Sequence, residues 1–151
     1  MKVEKDYEDL LGLLRKYKVR YCIVGAYAVA FYGRPRYTKD MDILVEPTVE
    51  NARRMVKALN DFGFASLKLK EKDFAKKGNV IQLGYEPVRV DILTSLKGVP
   101  FETLWKKKRL GSYGRHRVFF IGKNELMRNK KLSGRKQDLA DLEALKKSKS
   151  F

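Results

Sequence analysis

The chain has 151 residues, 44% of them hydrophobic, enough for a cored domain, yet no run approaches the ~20 apolar residues of a membrane span. Lys and Arg number 34 against 18 Asp and Glu, a formal net charge of +16 that favours polyanionic partners over apolar or cationic ones. One cysteine (Cys22) and one histidine (His116) exclude an intrachain disulfide and argue against a Cys/His zinc site or a His-dependent nucleophile.

The N-terminal stretch MKVEKDYEDLL is charged and amphipathic, unlike a signal peptide, so a cytoplasmic protein is expected. Residues 4–17 place Tyr7, Leu10, Leu11 and Leu14 at helical spacing. Val19 to Val24 reads as a buried strand, with Cys22 a small core residue inside it. Gly25 follows, and Ala26 to Tyr32 forms a short helix stopped by Gly33-Arg34-Pro35. Met41 to Val45 is the next strand. Thr48 is the N-cap of a helix whose buried face is Ala52, Met55, Val56 and Leu59. Phe62-Gly63-Phe64 ends it.

Lys70 to Gly78 reads as a charged loop or short helix. Val80 to Leu83 and Val88 to Leu93 form a hairpin around Tyr85-Glu86-Pro87. Helices are expected from Pro100 to Lys107, Leu126 to Leu132 and Gln137 to Lys147, with a last strand at Val118 to Ile121. Strands and helices mix without regular alternation, so the expected class is α+β with a mixed sheet. Basic clusters lie at residues 68–77, 106–109, 128–136 and 146–149, a footprint that favours contact with nucleic acid or nucleotide over a merely solvated surface.

Three carboxylates stand out. Asp is disfavoured in strands, yet Asp40-Met41-Asp42 opens one. Residues two apart in a strand share a face, which sets these carboxylates about 5–7 Å apart. Like charges that close repel unless a cation lies between them, and a hard divalent ion such as Mg²⁺ suits carboxylate oxygens; the plain alternative is a solvated strand end or turn. Asp91, in Arg89-Val90-Asp91-Ile92-Leu93, is again a charge inside an apolar strand. Two readings are open for it: a same-face pair with Arg89, or a third ligand completing a cage for two metal ions.

Read together, these motifs resemble the nucleotidyltransferase superfamily with the DNA polymerase β-like palm. That pattern is an apolar strand, a Gly-Gly or Gly-Ser turn, a short helix, Asp-x-Asp and a later strand carboxylate. Here it runs Val24-Gly25-Ala26, Asp40-Met41-Asp42 and Asp91. The second glycine of the pattern is replaced by Ala26, which suits the turn if its φ is negative. The closer resemblance is to small prokaryotic, toxin-related nucleotidyltransferases of the AbiEii-like group. It is carried by Gly33 to Asp42, Val90 to Thr94, Lys130, Gly134-Arg135 and Asp138 to Leu142.

The resemblance implies a nucleotidyltransferase palm, a mixed sheet flanked by helices with further C-terminal helices, over residues 1–145, followed by a frayed basic tail at 146–151. It implies transfer of a nucleoside monophosphate from a nucleoside triphosphate to RNA, tRNA included, or to a protein. Asp40, Asp42 and Asp91 would hold two Mg²⁺ ions, with Mn²⁺ as an alternative. Asp91 would also help take the acceptor's proton. Gly25, Ala26, Arg36 and Thr38 would face the triphosphate. Lys130 and Arg135 would neutralise phosphate charge, oriented by Asp138. The alternatives stay open beside it: Arg36 and Thr38 as loop and strand-entry residues, and Lys130, Arg135 and Asp138 as an ordinary basic helix followed by a helix-start acid. At the level of the whole chain, the alternative is a non-catalytic palm acting as a nucleic-acid-binding or toxin–antitoxin partner module.

Overall fold

The computed structural model describes residues 3–34, 38, 40–85 and 88–148. Helix α1 (Lys5–Lys16) buries Tyr7, Leu10, Leu11 and Leu14, the stripe its spacing predicts. Strand β1 (Tyr21–Val24) is buried throughout and passes directly into α2 (Gly25–Phe31). Strand β2 (Asp40–Val45) leads to α3 (Val49–Leu59), where the Thr48 hydroxyl accepts from the Asn51 N–H at 3.2 Å, the expected N-cap. Ala52, Met55 and Leu59 are buried on α3, while Val56 is only partly so.

The end of α3 is not a simple stop. It widens into a π-type turn, Asn60–Phe64, with Gly63 at φ 117°, and a 3₁₀ turn, Ala65–Leu67. The short helix α4 (Glu71–Phe74) anchors the charged stretch by burying Phe74. Strands β3 (Val80–Tyr85) and β4 (Val88–Leu93) form the expected hairpin, whose turn residues Glu86 and Pro87 lie outside the described residues. Then come α5 (Phe101–Lys107), β5 (Arg109–Tyr113), β6 (His116–Phe120), α6 (Lys123–Ser133) and α7 (Lys136–Lys147).

The strands make one six-stranded mixed sheet in the order β3-β4-β2-β1-β6-β5. β1 runs antiparallel to β2, while β2 with β4 and β1 with β6 are parallel. The fold class is therefore α+β with a mixed sheet and flanking helices. Strand β5 is absent from the sequence expectation. It is an edge strand carrying Arg109, Leu110, Gly111 and Ser112, most of it exposed, so it lacks the apolar alternation that marks a half-buried strand. Residues 146 and 147 continue α7 and the Ser148 hydroxyl donates to the Tyr32 carbonyl at 2.7 Å; the last three residues lie outside the described set. Among the described residues no helix is long and apolar enough to cross a membrane. Cys22 is a buried free thiol.

Candidate active site

The centre of the sheet brings the three aspartates together. In the parallel β2–β4 pair, Asp40 lies opposite Arg89 and Asp42 opposite Asp91. Strand alternation then puts Asp40, Asp42, Arg89 and Asp91 on one face. On the other side of β2, Asp42 pairs with Val24, the residue before Gly25. Gly25 sits at φ +67°, and a Cβ there would fall inside the van der Waals envelope of Asp42 Oδ2. The chain needs glycine at this position for both reasons. Ala26, by contrast, is a buried helical residue and is not among those with positive φ. The first glycine of the turn carries the steric demand here, and it is kept.

Arg89 fills the space between two of the carboxylates. Its Nη2 donates to Asp40 Oδ2 at 2.9 Å and to Asp91 Oδ2 at 3.1 Å, and its Nε donates to Asp91 Oδ1 at 3.1 Å. The same-face Arg89–Asp91 pair is thus present, extended to Asp40 across the strands. Asp42 is outside this pairing. Burial, then the charges of Asp91 and Asp40, push its carboxyl up to about 6, against the weaker opposing pull of Lys130 and Arg89. Asp40 Oδ1 is buried with no hydrogen-bond partner among the described residues. An orphaned, buried carboxylate oxygen is costly and points to an absent cation or donor.

Among the described residues, no group of three or more His, Cys, Asp or Glu side chains is gathered tightly enough to hold a metal ion. The donor chemistry nonetheless fits a hard divalent ion. All three donors are carboxylates, one oxygen is orphaned, and the cluster carries more negative charge than one guanidinium neutralises. For such an ion to be held by all three, the Arg89 side chain must withdraw.

The C-terminal motif forms a second polar cluster. Helix α6 ends at Gly134, in the left-handed region at φ 69°, whose N–H donates to the Lys130 carbonyl at 3.1 Å. This turn brings α7 back so that Lys130 Nζ lies 3.1 Å from both Asp138 Oδ1 and Asp141 Oδ2. Lys130 and both acids are buried. Burial alone raises the Asp138 carboxyl, but hydrogen bonds from Arg135, Ser133 and Lys130 outweigh it and hold it at about 2. Arg135 Nε reaches Asp138 at 2.8 Å, while its side chain stays 78% exposed. Its charged form is favoured first by Asp138 and also, more weakly, by Asp42, so the two clusters are close enough to feel each other.

Of the residues singled out in the sequence, Asp40, Asp42, Asp91 and Gly25 converge directly, and Lys130, Arg135 and Asp138 form the neighbouring cluster. The Thr38 hydroxyl is bonded to the Asp40 backbone, donating to its carbonyl at 3.1 Å and accepting from its N–H at 3.3 Å, and so fixes the strand entry. Arg36 lies outside the described residues. Asp141 was within the Asp-x-x-Asp motif but carried no assigned role. It is fully buried, holds Lys130, accepts from Gln137 Nε2 and lies 3.7 Å from Arg34 Nη1. The two-fold role of Arg89 also exceeds the sequence reading, because its second partner is set by strand register.

Comparison with solved structures finds similar folds over most of the chain. The fold is that of the nucleotidyltransferases. A lincosamide antibiotic adenylyltransferase, LnuA, solved with lincomycin bound, aligns with a TM-score of 0.55 at 16% identity, covering 95% of this chain and 96% of that one. A candidate nucleotidyltransferase from Thermotoga maritima aligns at 0.58 and 16% identity, covering 97% and 94%. An antigenic nucleotidyltransferase-like protein from Paracoccidioides brasiliensis aligns at 0.57 and 14% identity, covering 93% and 74%. No protein-family model matches the chain, and no curated protein matches it significantly.

Proposed function

We propose that this protein is a Mg²⁺-dependent nucleotidyltransferase that moves a nucleoside monophosphate from a nucleoside triphosphate to an RNA, tRNA included, or to a protein. The observation that carries this reading is the in-register placement of Asp42 and Asp91 beside Asp40, with one buried Asp40 oxygen unpartnered. In the reaction the acceptor oxygen bonds to the α-phosphorus, the α–β phosphoanhydride bond breaks, and pyrophosphate leaves. Asp40, Asp42 and Asp91 would hold Mg²⁺, or Mn²⁺, which when bound neutralises phosphate charge and polarises the reacting oxygens.

The chain's own residues have separable tasks. Gly25 and Ala26 keep the β1–α2 turn clear of side chains next to Asp42, leaving room for a phosphate. Arg135, exposed and tethered to Asp138, is the cation free to swing toward a triphosphate. Lys130 is buried between Asp138 and Asp141, so its charge acts from behind Arg135 rather than by contact. The acceptor's proton goes to a carboxylate. Asp91 is proposed for that task, its oxygens released from Arg89 once that side chain withdraws for the metal ion. Arg36 and Thr38 remain proposed phosphate-side residues.

LnuA, by its description, acts on a lincosamide, a small molecule. The net charge of +16 on this chain favours a polyanionic acceptor instead. The AbiEii-like grouping and a cytoplasmic location belong to the same proposal. A second reading is favoured by one observation, the Arg89 guanidinium between Asp40 and Asp91. On that reading the palm is non-catalytic and serves as a nucleic-acid-binding or toxin–antitoxin partner module, with Arg89 in permanent place of a metal. The separating experiment incubates the protein with each labelled triphosphate, Mg²⁺ and total RNA or protein. Transfer that disappears in Asp42→Asn supports the enzyme, and no transfer with any triphosphate supports the module.

A further inference from the structure

A cavity of about 540 Å³ opens far from the aspartates. Its floor is aromatic and apolar: Tyr21, Trp105, Leu110 and Phe119. Tyr21 and Phe119 rings lie 5.8 Å apart, and Trp105 meets Phe119 edge-on at 5.3 Å. Five cations surround it: Arg15, Lys18, Arg20, Arg54 and Arg117. Only two of these are offset. Arg20 pairs with Glu46 at 3.3 Å and Arg54 with Glu50 at 2.7 Å. Arg54 also donates to the Lys18 carbonyl at 3.2 Å, holding the rim in shape. Arg15, Lys18 and Arg117 have no acidic partner among the described residues. The Arg20 guanidinium stands 5.5 Å from the Trp105 ring centre, and Lys108 Nζ only 3.9 Å from it.

The position is distinct from the candidate active site. Tyr21 is paired with Val45, whereas Val24 is paired with Asp42, so the cavity lies at the other end of the β1–β2 ladder, about 10 Å along the strand. Being three residues apart, Tyr21 and Val24 also face opposite sides of the sheet. The triphosphate proposed above would not occupy this cavity.

An aromatic floor of one-base size, ringed by three uncompensated cations, has the chemistry of a nucleobase-and-phosphate receptor. Every base offers a π-face, and Arg adds both stacking and phosphate contact. A purely apolar ligand would leave the cations unused, and an acidic peptide would leave the aromatic floor unused. We propose that this cavity binds a nucleobase together with its phosphate, presented by single-stranded nucleic acid or by a free nucleotide. The inference does not depend on transfer activity. On a single strand, it would serve as a remote anchor for a chain whose end reaches elsewhere.

Trp105 is the only tryptophan in the sequence, so its fluorescence reports on this cavity directly. The test titrates the full chain, without divalent ions, with AMP and separately with a single-stranded oligoadenylate. Saturable quenching is expected. Quenching by both at similar concentration identifies a free nucleotide as sufficient; quenching by the oligonucleotide alone identifies the single strand. With three phosphates of the strand neutralised by Arg15, Lys18 and Arg117, binding to it should weaken roughly 18-fold between about 50 and 200 mM salt. Arg15→Glu and Arg117→Glu, both at exposed rim positions, should each weaken it by about tenfold or more with the thermal midpoint unchanged. Asp42→Asn should bind as the wild type does, which separates this site from the transfer reaction. Unchanged Trp105 emission with both probes would overturn the proposal. So would equal quenching by an acidic peptide, or titrations unaltered by both charge reversals.

Discussion

Asp42 stands directly opposite Asp91 across the parallel β2–β4 pair, with Asp40 two residues away on the same face. Asp42 is the member left outside the Arg89 pairing, and its carboxyl is pushed up to about 6 from an ordinary 3.8 by burial and its acidic neighbours. An acid raised on folding holds its proton more tightly in the native state. Stability therefore falls as pH rises from about 4 to 6, and the full penalty is present above 6. Asp42→Asn removes it. In chelator, we expect the variant to be more stable than the wild type at pH 7 to 8 by up to about 3 kcal/mol, with the gain gone below about pH 4. Unfolding midpoints across this range check the expectation; a gain that does not vary with pH contradicts it.

Arg89 is the cation already present in the cluster. Arg89→Met leaves the three carboxylates unneutralised and should destabilise the metal-free protein by about 1–3 kcal/mol, the cost of unmaking charged hydrogen bonds in a partly buried cluster. It also clears the space between Asp40 and Asp91. Added Mg²⁺ or Mn²⁺ should then raise the thermal midpoint of Arg89→Met more steeply than that of the wild type, because binding to the native state alone stabilises by mass action. Identical metal responses in the two proteins would show that Arg89 does not compete for the site.

The β1–α2 turn separates the roles of two small residues. Gly25→Ala meets both a positive φ and the Asp42 carboxylate, and should cost about 1–3 kcal/mol together with any metal response. Ala26→Gly gives the doubled glycine of the pattern that the sequence resembles. At a helical position it should lower stability by only about 1 kcal/mol and leave nucleotide binding intact. Denaturant midpoints and nucleotide titrations of both variants decide this.

Lys130 and Arg135 share Asp138 yet differ in exposure. Lys130→Met removes the buried cation that Asp138 and Asp141 share and should cost about 3–5 kcal/mol. Arg135→Ala breaks an ion pair whose cation is 78% exposed, and should cost less than about 1 kcal/mol. Its effect should fall on transfer instead. A large loss of stability in Arg135→Ala would assign that residue to the scaffold.

How much of this was legible in the sequence follows from what each signal rests on. The helices over 5–16 and 49–59 are periodic and amphipathic, so spacing alone places them. Strands β1, β2 and β4 are rich in apolar residues and wholly or partly buried, and the aspartates within β2 and β4 stand out because charge there is costly. Strand β5 is an exposed edge with no such alternation, and the π-type turn after α3 has no short-range signature. The bridging of Asp40 by Arg89 depends on which strands are neighbours and in what register, which local spacing does not encode. The Trp105 cavity is assembled from α1, β1, α3, α5, β5 and β6 and the short α1–β1 connection, so its residues are scattered over about 100 positions of sequence.

The most direct measurement of the central claim is transfer of label from α-phosphate-labelled triphosphates, each supplied with Mg²⁺ and total RNA or protein, by wild-type protein and by Asp42→Asn. The account predicts label in a macromolecular product with the wild type, abolished by chelator and by Asp42→Asn. No label from any of the four triphosphates, or transfer that persists in Asp42→Asn, would contradict it.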